Sequence, residues 1–471
     1  MALNVFMSPD DIRTLFSDAM SRMYQQEVPQ YSTLMKLVAE VNHETLDADA
    51  QLAQQLAANN EQTRLSVERH GAIRVGSAAE LNMLRRIFAI MGMAPVSYYD
   101  LSSAGVPVHS TAFRPVNETS LQQNPFRIFT SLLRLELIAD DDLRAQAADI
   151  LAKRDIFTSK ARLLVSQAEA VGGLSAGQAR QFVSEILETF RWHRHATVSL
   201  ASYQALRQAH PLIADVVCFA GPHINHLTPR TLDIDAAQQK MPAMGIAPKA
   251  VIEGPPRRQC PILLRQTSFT ALDEPVMFTD AQAGTHSARF GEIEQRGMAL
   301  TPKGRALYDD LLNRARQAPA AENNTEHQHQ LAEVFAQFPD DEHSLRVQQL
   351  GYFRYQLTDA GRQQVELHNP QLHNIVMSQD LEPLIQQGWV CATPITYEDF
   401  LPVSAAGIFQ SNLGSSHYEA YGENANQTAF EQALGCAVLG EFSLYAKQQQ
   451  DSITQLIDIL SGEDTASDIS S

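Results

Sequence analysis

The chain has 471 residues, more than one domain usually holds, so it can bury the cores of two or three packed units. Its 36 basic and 54 acidic residues give a formal net charge of −18, which argues against a nucleic-acid partner. Its four cysteines lie far apart without a CxxC pair, which argues against a thiolate zinc site and favours a reducing compartment. No stretch approaches the roughly 20 apolar residues of a membrane span, and no secretory leader pattern opens the chain, so we expect a cytoplasmic protein without a membrane partner.

The first predicted segment, residues 1–62, is helical. Ser8-Pro9-Asp10-Asp11 supplies a capping residue, a proline for the first turn and acidic side chains, and apolar residues then recur at helical spacing. The pattern of apolar and polar residues changes over residues 63–140. There "SVERHGAIRVG" alternates like a strand, Ser77-x-x-Glu80 opens a helix that Gly92 closes, and three strands follow in "PVSYYDL", "VHSTAFR" and "FRIFTSLLRLEL". This order is β-α-β-β-β.

The same order is predicted a second time after a helical insertion over residues 141–212. In residues 213–300 the run "ADVVCFAGPHINHL" predicts a buried strand, and Thr228-Pro229 is expected to cap a helix that ends at Gly245. Three strands are then predicted in "PKAVIEG", "PILLRQTSFTAL" and "HSARFGEIEQRG".

The remaining chain is predicted to be a helical and pocket-closing region, residues 301–460, followed by a flexible tail, residues 461–471. It begins with the helical "TPKGRALYDDLLNRARQ", continues through a polar, loop-like "APAAENNTEHQHQ" and includes "TYEDFLPVSAAGIFQSNLG". The predicted fold is α+β: two βαβββ modules form a central sheet cavity, with helical layers added at the N-terminus, in the insertion and at the C-terminus.

Three echoes support a duplication. Met91-Gly92-Met93-Ala94-Pro95 recurs as Met244-Gly245-Ile246-Ala247-Pro248, at an offset of 153 residues. Thr111-Ala112-Phe113 recurs as Thr267-Ser268-Phe269, at an offset of 156, and His70 is separated from His226 by the same 156. A duplicated module preserves its internal spacing, so three echoes in one order at nearly one offset favour two copies of one module.

The duplication turns two histidines into candidate metal ligands. If the modules face one another, His70 and His226 occupy equivalent first-strand positions and can converge. Two neutral imidazoles need a charged third ligand, and Glu292 and Glu294 share one face of the last strand. Two histidines and one carboxylate with open positions are typical of non-haem Fe(II) oxygen chemistry. The alternative is that these residues make ordinary polar contacts.

Other histidines are weaker candidates. His223 lies three residues before His226, so only one of the two should point inward, and His223 is expected to make a loop or outer hydrogen bond. His109 and His286 each precede a strand-like run. The histidines of "HQH", His327 to His329, are expected to be solvated in a polar loop.

Arg74 follows His70 by four residues, so both side chains point to the same face of a strand. A guanidinium there could bind a substrate carboxylate with two parallel hydrogen bonds. The alternative is a surface arginine paired with one of the many acids. Arg265 lies in the corresponding region of the second module and is a weaker helper.

Paired βαβββ modules with first-strand histidines and a last-strand glutamate resemble the vicinal oxygen chelate superfamily. Longer motifs make the resemblance more specific: "VERHGAIRVG", "MGMAPVSYYDLSSAGVPVHSTAFRP", "HINHLTPRTLDID", "EGPPRR", "LLRQTSF", "RFGEIEQRG" and "TYEDFLPVSAAGIFQSNL". Together they resemble the bacterial 2-oxoadipate dioxygenase/decarboxylase family from about residue 8 to about residue 445.

The resemblance implies an Fe(II)-dependent enzyme of lysine breakdown that converts 2-oxoadipate and O2 to 2-hydroxyglutarate and CO2. It implies that His70, His226 and Glu294 bind the metal and that Arg74 contacts a substrate carboxylate. It also places Val403 and Ser404 in the substrate-binding segment, which we expect to close over the pocket. Two other functions stay open: a metal-dependent isomerase or lyase of the same superfamily, and a non-catalytic small-acid-binding protein. The sequence does not indicate an oligomeric state.

Overall fold

The computed structural model of this chain describes residues 6–58, 61–317, 323–367, 369, 381–401 and 426–461. Within them the chain is a mixed α+β structure with many helices and three small sheets. It divides into two units. The first comprises residues 1–254, 265–295 and 399–439, and the second comprises residues 255–264, 296–398 and 440–471.

Among the described residues, the helices before the first strand are α1 (Pro9–Glu27), α2 (Tyr31–Ala48), α3 (Ala50–Ala58) and α4 (Glu61–Val67). The predicted start of α1 is confirmed, because the Ser8 side chain accepts a hydrogen bond from the amide of Asp11. The apolar face of α1 enters the core of the first unit, where Phe16 and Met20 pack in one cluster with Ile73 and Val75 of the first strand. Burying each such side chain contributes roughly 1.5–3 kcal/mol.

The main sheet is built from the predicted βαβββ order. Its elements are β1 (Arg69–Val75), α5 (Ala78–Ile90), β2 (Ala94–Asp100), β3 (Val108–Arg114), a short helix α6 (Glu118–Gln123) and β4 (Arg127–Leu133). The strand order is β2-β3-β4-β1-β5, where β5 is Leu227–Pro229. Strand β1 runs parallel to β4 with His70 beside Arg127. Ser77 and Glu80 form the predicted capping box, and Gly92 has φ +68°, a left-handed conformation that glycine adopts at helix ends.

The insertion is helical, as predicted: α7 (Asp141–Ala152), α8 (Ser159–Val171), α9 (Ala176–Leu187) and α10 (Leu200–Ala209). The strand predicted for residues 214–227 is wrong. Its first part belongs to α11 (Pro211–Val217), and the only strand residues are in β5 (Leu227–Pro229). The helix forms because the His210 side chain caps it by accepting from the amide of Leu212, with Pro211 in the first turn. A short apolar run does not distinguish a buried helix from a buried strand.

The second predicted module differs in detail. Thr228 and Pro229 belong to β5 rather than to a helix cap, and α12 (Ile234–Lys240) begins after Asp233, whose side chain caps it. The predicted strand "PKAVIEG" is reduced to single bridges, Pro248 with Phe269 and Glu253 with Gln266. Two long strands, β6 (Leu264–Met277) and β7 (Ala283–Arg296), pair with each other, and Arg230 forms a parallel bridge with Glu294 of β7.

The second unit contains the helices and the small sheet that follow. In chain order the elements are α13 (Pro302–Arg316), α14 (Asn324–Phe335), α15 (Glu342–Val347), β8 (Phe353–Leu357), α16 (Asp359–Glu366), α17 (Glu382–Gln386) and β9 (Val390–Pro394). Next come α18 (Gln427–Leu434), which belongs to the first unit, and α19 (Glu441–Ser461) in the second. Strands β8 and β9 pair antiparallel.

The loop predicted around His327 to His329 is wrong, because these residues lie in α14. The Asn323 side chain accepts from the amide of Glu326 and so begins the helix, and Leu331 and Phe335 bury one face at a spacing of four. His329 is largely exposed, as expected. In the described ranges, every helix is too short or too polar to cross a lipid bilayer.

Candidate metal centre

Strand β1 separates a core face from a polar face. Ile73 and Val75 join the apolar core, and His70 and Arg74 lie on the opposite face because side chains alternate along a strand. His70 is only 1% exposed, so its imidazole is shielded from water. A buried polar ring of this kind needs partners supplied by neighbouring elements.

His226 reaches His70 through the pairing of β1 with β5. These strands run antiparallel with His70 opposite Thr228, and the amide of Asn225 donates to the carbonyl of Ala72 at 3.0 Å. The ring centroids of His70 and His226 lie 5.2 Å apart. Strand pairing therefore brings together two imidazoles that are 156 positions apart in the sequence.

Strand β7 adds two fully buried carboxylates, Glu292 and Glu294. Glu292 Oε1 lies 3.0 Å from Nε2 of His70, and Glu294 Oε2 lies 3.0 Å from Nδ1 of the same ring. Glu292 Oε1 is also 3.7 Å from Nδ1 of His226. Ligand atoms of His70, His226 and Glu292 lie within 4.8 Å of one another. Glu294 faces the other nitrogen of His70 and has Arg127 Nη1 at 3.9 Å.

These residues fit a divalent cation. Both ring nitrogens of His70 and Oε2 of Glu292 are buried without a hydrogen bond of suitable direction among the described residues, although carboxylate oxygens are near the ring. Buried polar atoms that converge without satisfying one another are what a metal ion would satisfy. Two imidazoles and one carboxylate form a donor set suited to Fe(II) with positions open for substrate.

The electrostatics separate the two histidines. Burial lowers the pKa of His70, but the carboxylates of Glu294 and Glu292 outweigh burial, so the net shift is upward. Burial lowers the pKa of His226 to about 4; the charge of Glu292 opposes this shift, and the charges of His70 and Arg74 add to it. His226 is therefore neutral at pH 7 and able to ligate. A cation would replace a proton at His70.

Thr228 fixes the orientation of the His226 ring. Its hydroxyl donates to Glu292 Oε1 at 2.9 Å and lies 2.9 Å from His226 Nδ1. A hydroxyl has one proton, and a carboxylate can only accept, so Thr228 accepts from Nδ1–H of His226. The lone pair of the neutral ring is then at Nε2, where a metal can bind.

Tyr24 of α1 holds the two backbone segments that carry these ligands. Its buried hydroxyl lies 3.2 Å from the carbonyl oxygen of Asn225 and 2.9 Å from that of Phe290. The amide of Phe290 also donates to the carbonyl of Asn225 at 3.1 Å. The first helix thus ties the approach to His226 to the strand that bears Glu292.

Arg74 lies close to Asp215 of α11. Its Nη1 is 2.6 Å from Asp215 Oδ2, and both side chains are nearly buried. His286, a weaker candidate for metal contact, lies beside this acid, with its Nε2 2.8 Å from Asp215 Oδ1. His223 makes a hydrogen bond of the outer kind expected of it, because its Nε2 accepts from the side-chain Nδ2 of Asn225 at 3.0 Å.

Two further sequence candidates have other partners. His109 lies 3.3 Å from the hydroxyl of Tyr98, and Arg265 pairs with Asp235 at 2.6 Å. Neither joins the ligand cluster around His70.

The segment that leads to the predicted substrate-binding residues approaches the centre. Asp399 is held by Arg114 through contacts of 2.6 and 2.9 Å. The ring of Phe400 packs edge-on against His70, with centroids 5.0 Å apart. Val403 and Ser404 themselves lie outside the described residues.

Sequence reasoning missed three of these residues. Asp215 fell within a wrongly predicted strand, and Tyr24 is one apolar-face position of a helix with nothing to mark its hydroxyl. Thr228 carried a usable signal, because it follows His226 by two residues and so shares its face on an extended segment.

The chain is similar to known proteins along most of its length. The sequence model of a family described as 2-oxoadipate dioxygenase/decarboxylase matches residues 16–412. The 2-oxoadipate dioxygenase/decarboxylase of Escherichia coli is 60% identical over 446 residues, which is 95% of this chain and 98% of that protein. The protein of that name from Pseudomonas putida is 57% identical, over 96% of this chain and 97% of its own length.

A solved structure extends the likeness to three dimensions. The crystal structure of the Pseudomonas putida hydroxyglutarate synthase in complex with 2-oxoadipate matches with a TM-score of 0.89 and 53% identity. The match covers 97% of this chain and 99% of that one. With the family model spanning most of the sequence, this chain belongs to the 2-oxoadipate dioxygenase/decarboxylase family.

Proposed function

We propose that this chain converts 2-oxoadipate and O2 to 2-hydroxyglutarate and CO2 in a metal-dependent reaction. Family membership supports the substrate and the products. The observation that carries the proposal is the buried convergence of His70 and His226 with the carboxylates of β7. An apolar surround with a few convergent polar groups is the usual setting of such sites.

We propose Fe(II) as the metal. When bound, it would hold the 2-oxo acid and pass electrons from this substrate to O2. His226 offers a neutral imidazole because burial lowers its pKa to about 4. Arg74 binds the second carboxylate of the substrate as a charge-assisted hydrogen-bond donor. Phe400, packed on His70, excludes water from this side of the ring.

The third ligand is a choice between two glutamates. We propose Glu294, which the family resemblance implies and which faces Nδ1 of His70 at 3.0 Å. Glu292 also lies within reach of both histidines, but its Oε1 accepts from Thr228 and from Nε2 of Gln266 at 3.3 Å. These bonds give Glu292 the role of orienting His226 through Thr228.

We also propose how the chain is divided into modules and segments. Two βαβββ modules are supported by a shared pattern, because β1 runs parallel to β4 and Arg230 bridges Glu294 in parallel. We keep the segments 1–62, 63–140, 141–212, 213–300, 301–460 and 461–471 as proposed divisions. Val403 and Ser404 are proposed substrate contacts, supported by the approach of Phe400 to His70. A cytoplasmic location and a role in lysine breakdown complete the proposal.

Isotopic oxygen tests the reaction. Carbon 1 of 2-oxoadipate leaves as CO2 with its own oxygens, so both atoms of O2 are retained in 2-hydroxyglutarate, one in the new carboxylate and one in the hydroxyl. Protein loaded anaerobically with Fe(II) and 2-oxoadipate is exposed to 18O2, and the products are read by mass spectrometry. We expect 2-hydroxyglutarate with two 18O atoms. Turnover without oxygen uptake would indicate an isomerase or lyase, and binding without turnover would indicate a small-acid-binding protein.

Matched variants test the ligand assignment. Glu294→Gln removes the proposed ligand and is expected to weaken Fe(II) binding by about a hundredfold or more, whereas Glu292→Gln is expected to weaken it by about tenfold. Anaerobic calorimetry measures both affinities. The reverse order would make Glu292 the ligand.

A further inference from the structure

Asp215 is a buried acid outside the metal centre whose two oxygens are both engaged. Oδ2 lies 2.6 Å from Nη1 of Arg74, and Oδ1 lies 2.8 Å from Nε2 of His286. His223 Nε2 is 3.5 Å from the same Oδ1. The carboxylate is 5% exposed. Burial raises the pKa of Asp215, but the interactions of the carboxylate with His223, Arg74 and His286 outweigh burial, so this pKa is far below its usual range.

The chain of contacts continues to a third element. His286 Nδ1 lies 2.9 Å from the hydroxyl of Tyr203, which is itself buried. Nε2 of His286 faces a carboxylate and donates to it, which leaves Nδ1 as the nitrogen that can accept from the hydroxyl of Tyr203. Tyr203 on α10 therefore fixes His286 on β7, His286 fixes Asp215 on α11, and Asp215 holds Arg74 on β1.

This series of contacts restricts the conformational freedom of the Arg74 side chain. An arginine side chain has several rotatable bonds, and ordering it on ligand binding opposes association. A guanidinium already held by a fixed carboxylate loses less freedom when a second carboxylate arrives. The 2-oxo acid group of the substrate, which would bind the metal, does not depend on this series of contacts. Asp215 is not among the cluster of His70, His226 and Glu292.

We propose that Asp215 is a positioning residue which, together with His286, fixes the guanidinium of Arg74 and thereby sets a preference for dicarboxylic over monocarboxylic 2-oxo acids. This inference rests on the proposed role of Arg74 in binding the second carboxylate of 2-oxoadipate. Specificity then depends on the fixed position of the Arg74 guanidinium as well as on its charge.

Two ligands of equal chain length separate this role from general stability. Fe(II)-loaded protein is titrated anaerobically, by calorimetry, with 2-oxoadipate and with 2-oxohexanoate, which has a methyl group in place of the second carboxylate. Asp215→Asn is expected to weaken 2-oxoadipate binding about tenfold or more and to change 2-oxohexanoate binding by less than about twofold. Asp155→Asn, at an exposed pair with Arg162, is the matched control and should change neither.

A double-mutant cycle tests the coupling. Once Arg74→Gln is present, Asp215→Asn should weaken 2-oxoadipate binding by no more than about twofold further, because the two residues act as a unit. His286→Leu provides a second route if Asp215→Asn does not fold: it should reduce the preference for 2-oxoadipate in the same direction, and His286→Gln, which keeps a donor, should restore most of it.

The outcomes are distinct. Equal weakening of both ligands, or an unchanged preference in Asp215→Asn and in His286→Leu, would overturn the positioning role while leaving the reaction intact. If the wild-type protein took up no oxygen, or if it did not prefer 2-oxoadipate, the proposed function would be overturned instead.

Discussion

At the scale of single residues, the centre depends on side chains that orient the ligands. Thr228 is fully buried and bridges His226 and Glu292 with two contacts of 2.9 Å. Its single proton decides which nitrogen of His226 carries hydrogen. Outer groups of this kind commonly change metal affinity by 10–100-fold when they are removed.

We therefore expect Thr228→Val, which keeps the shape and removes the hydroxyl, to weaken Fe(II) binding by about tenfold or more. Anaerobic titration with Fe(II) measures the affinity. Thr228→Ser keeps the hydroxyl and should bind within about threefold of the wild type. Equal affinities in the valine and serine variants would contradict the assigned orientation of the His226 ring.

At the scale of elements, β1 and the segment before β5 pack closely at a glycine. A Cβ at Gly71 would lie 2.5 Å from Cδ1 of Ile224 and 3.0 Å from the carbonyl oxygen of His226. The absence of a side chain at residue 71 therefore favours the close approach of strand β1 to His226.

Gly71→Ala should destabilise the protein by about 1–3 kcal/mol and weaken Fe(II) binding, because the segment carrying His226 must move. Urea unfolding and metal titration measure the two effects. The control is Gly177→Ala in α9, where a Cβ meets no atom within 4 Å. That change should leave stability equal or higher by up to about 1 kcal/mol.

A buried ion pair fixes the segment before Val403. The buried pair of Arg114 and Asp399 fixes it, so Asp399→Ala leaves a guanidinium buried without its carboxylate partner and should cost about 3–5 kcal/mol. The comparison is Glu169→Ala at the pair with Arg86, whose side chains are 45% and 30% exposed; it should cost less than about 1 kcal/mol. Urea unfolding of both variants is the measurement, and similar losses would be contrary to the expectation.

Elements with local signals were predictable from the sequence. Ser77 and Glu80, which form a capping box, predict helix α5. Alternation predicts strand β1, and strand-like runs predict β2 to β4. The strand over residues 214–227 was wrong because a capped apolar helix presents the same short run. The segment "PKAVIEG" forms only single bridges with β6. A local sequence pattern carries no information about how a segment pairs with a distant strand.

The candidate site was predictable only in part. Equal spacing in the repeat joined His70 to His226, and strand alternation placed Arg74 beside His70. Alternation could not separate Glu292 from Glu294, since both lie on one face. Asp215 and Thr228 act through contacts between distant elements, and their types alone do not reveal those contacts.

At the scale of the whole molecule, buried neutral histidines make the fold sensitive to acid. Burial lowers the pKa values of His109 and His210 to about 4 and that of His223 to about 3, with nearby positive charge adding to each shift. Between these values and the ordinary 6.5, the unfolded chain binds protons that the folded chain does not. Each such group then lowers the free energy of unfolding by up to about 1.4 kcal/mol per pH unit.

We therefore expect the metal-free protein to lose stability as pH falls from about 6.5 toward 4. Urea unfolding at several pH values measures the slope. His109→Gln removes one titrating group and should give a shallower slope over this window. A slope equal to that of the wild type would contradict the buried neutral state of His109.

The hydroxyl of Tyr24 touches carbonyl groups that lie 201 and 266 positions later in the chain. During translation α1 leaves the ribosome well before the partners that it joins. The proposed metal ligands therefore cannot all assemble on a nascent chain that stops before β7. A metal ion would accordingly enter after most of the polypeptide has been synthesised, once these distant contacts have closed.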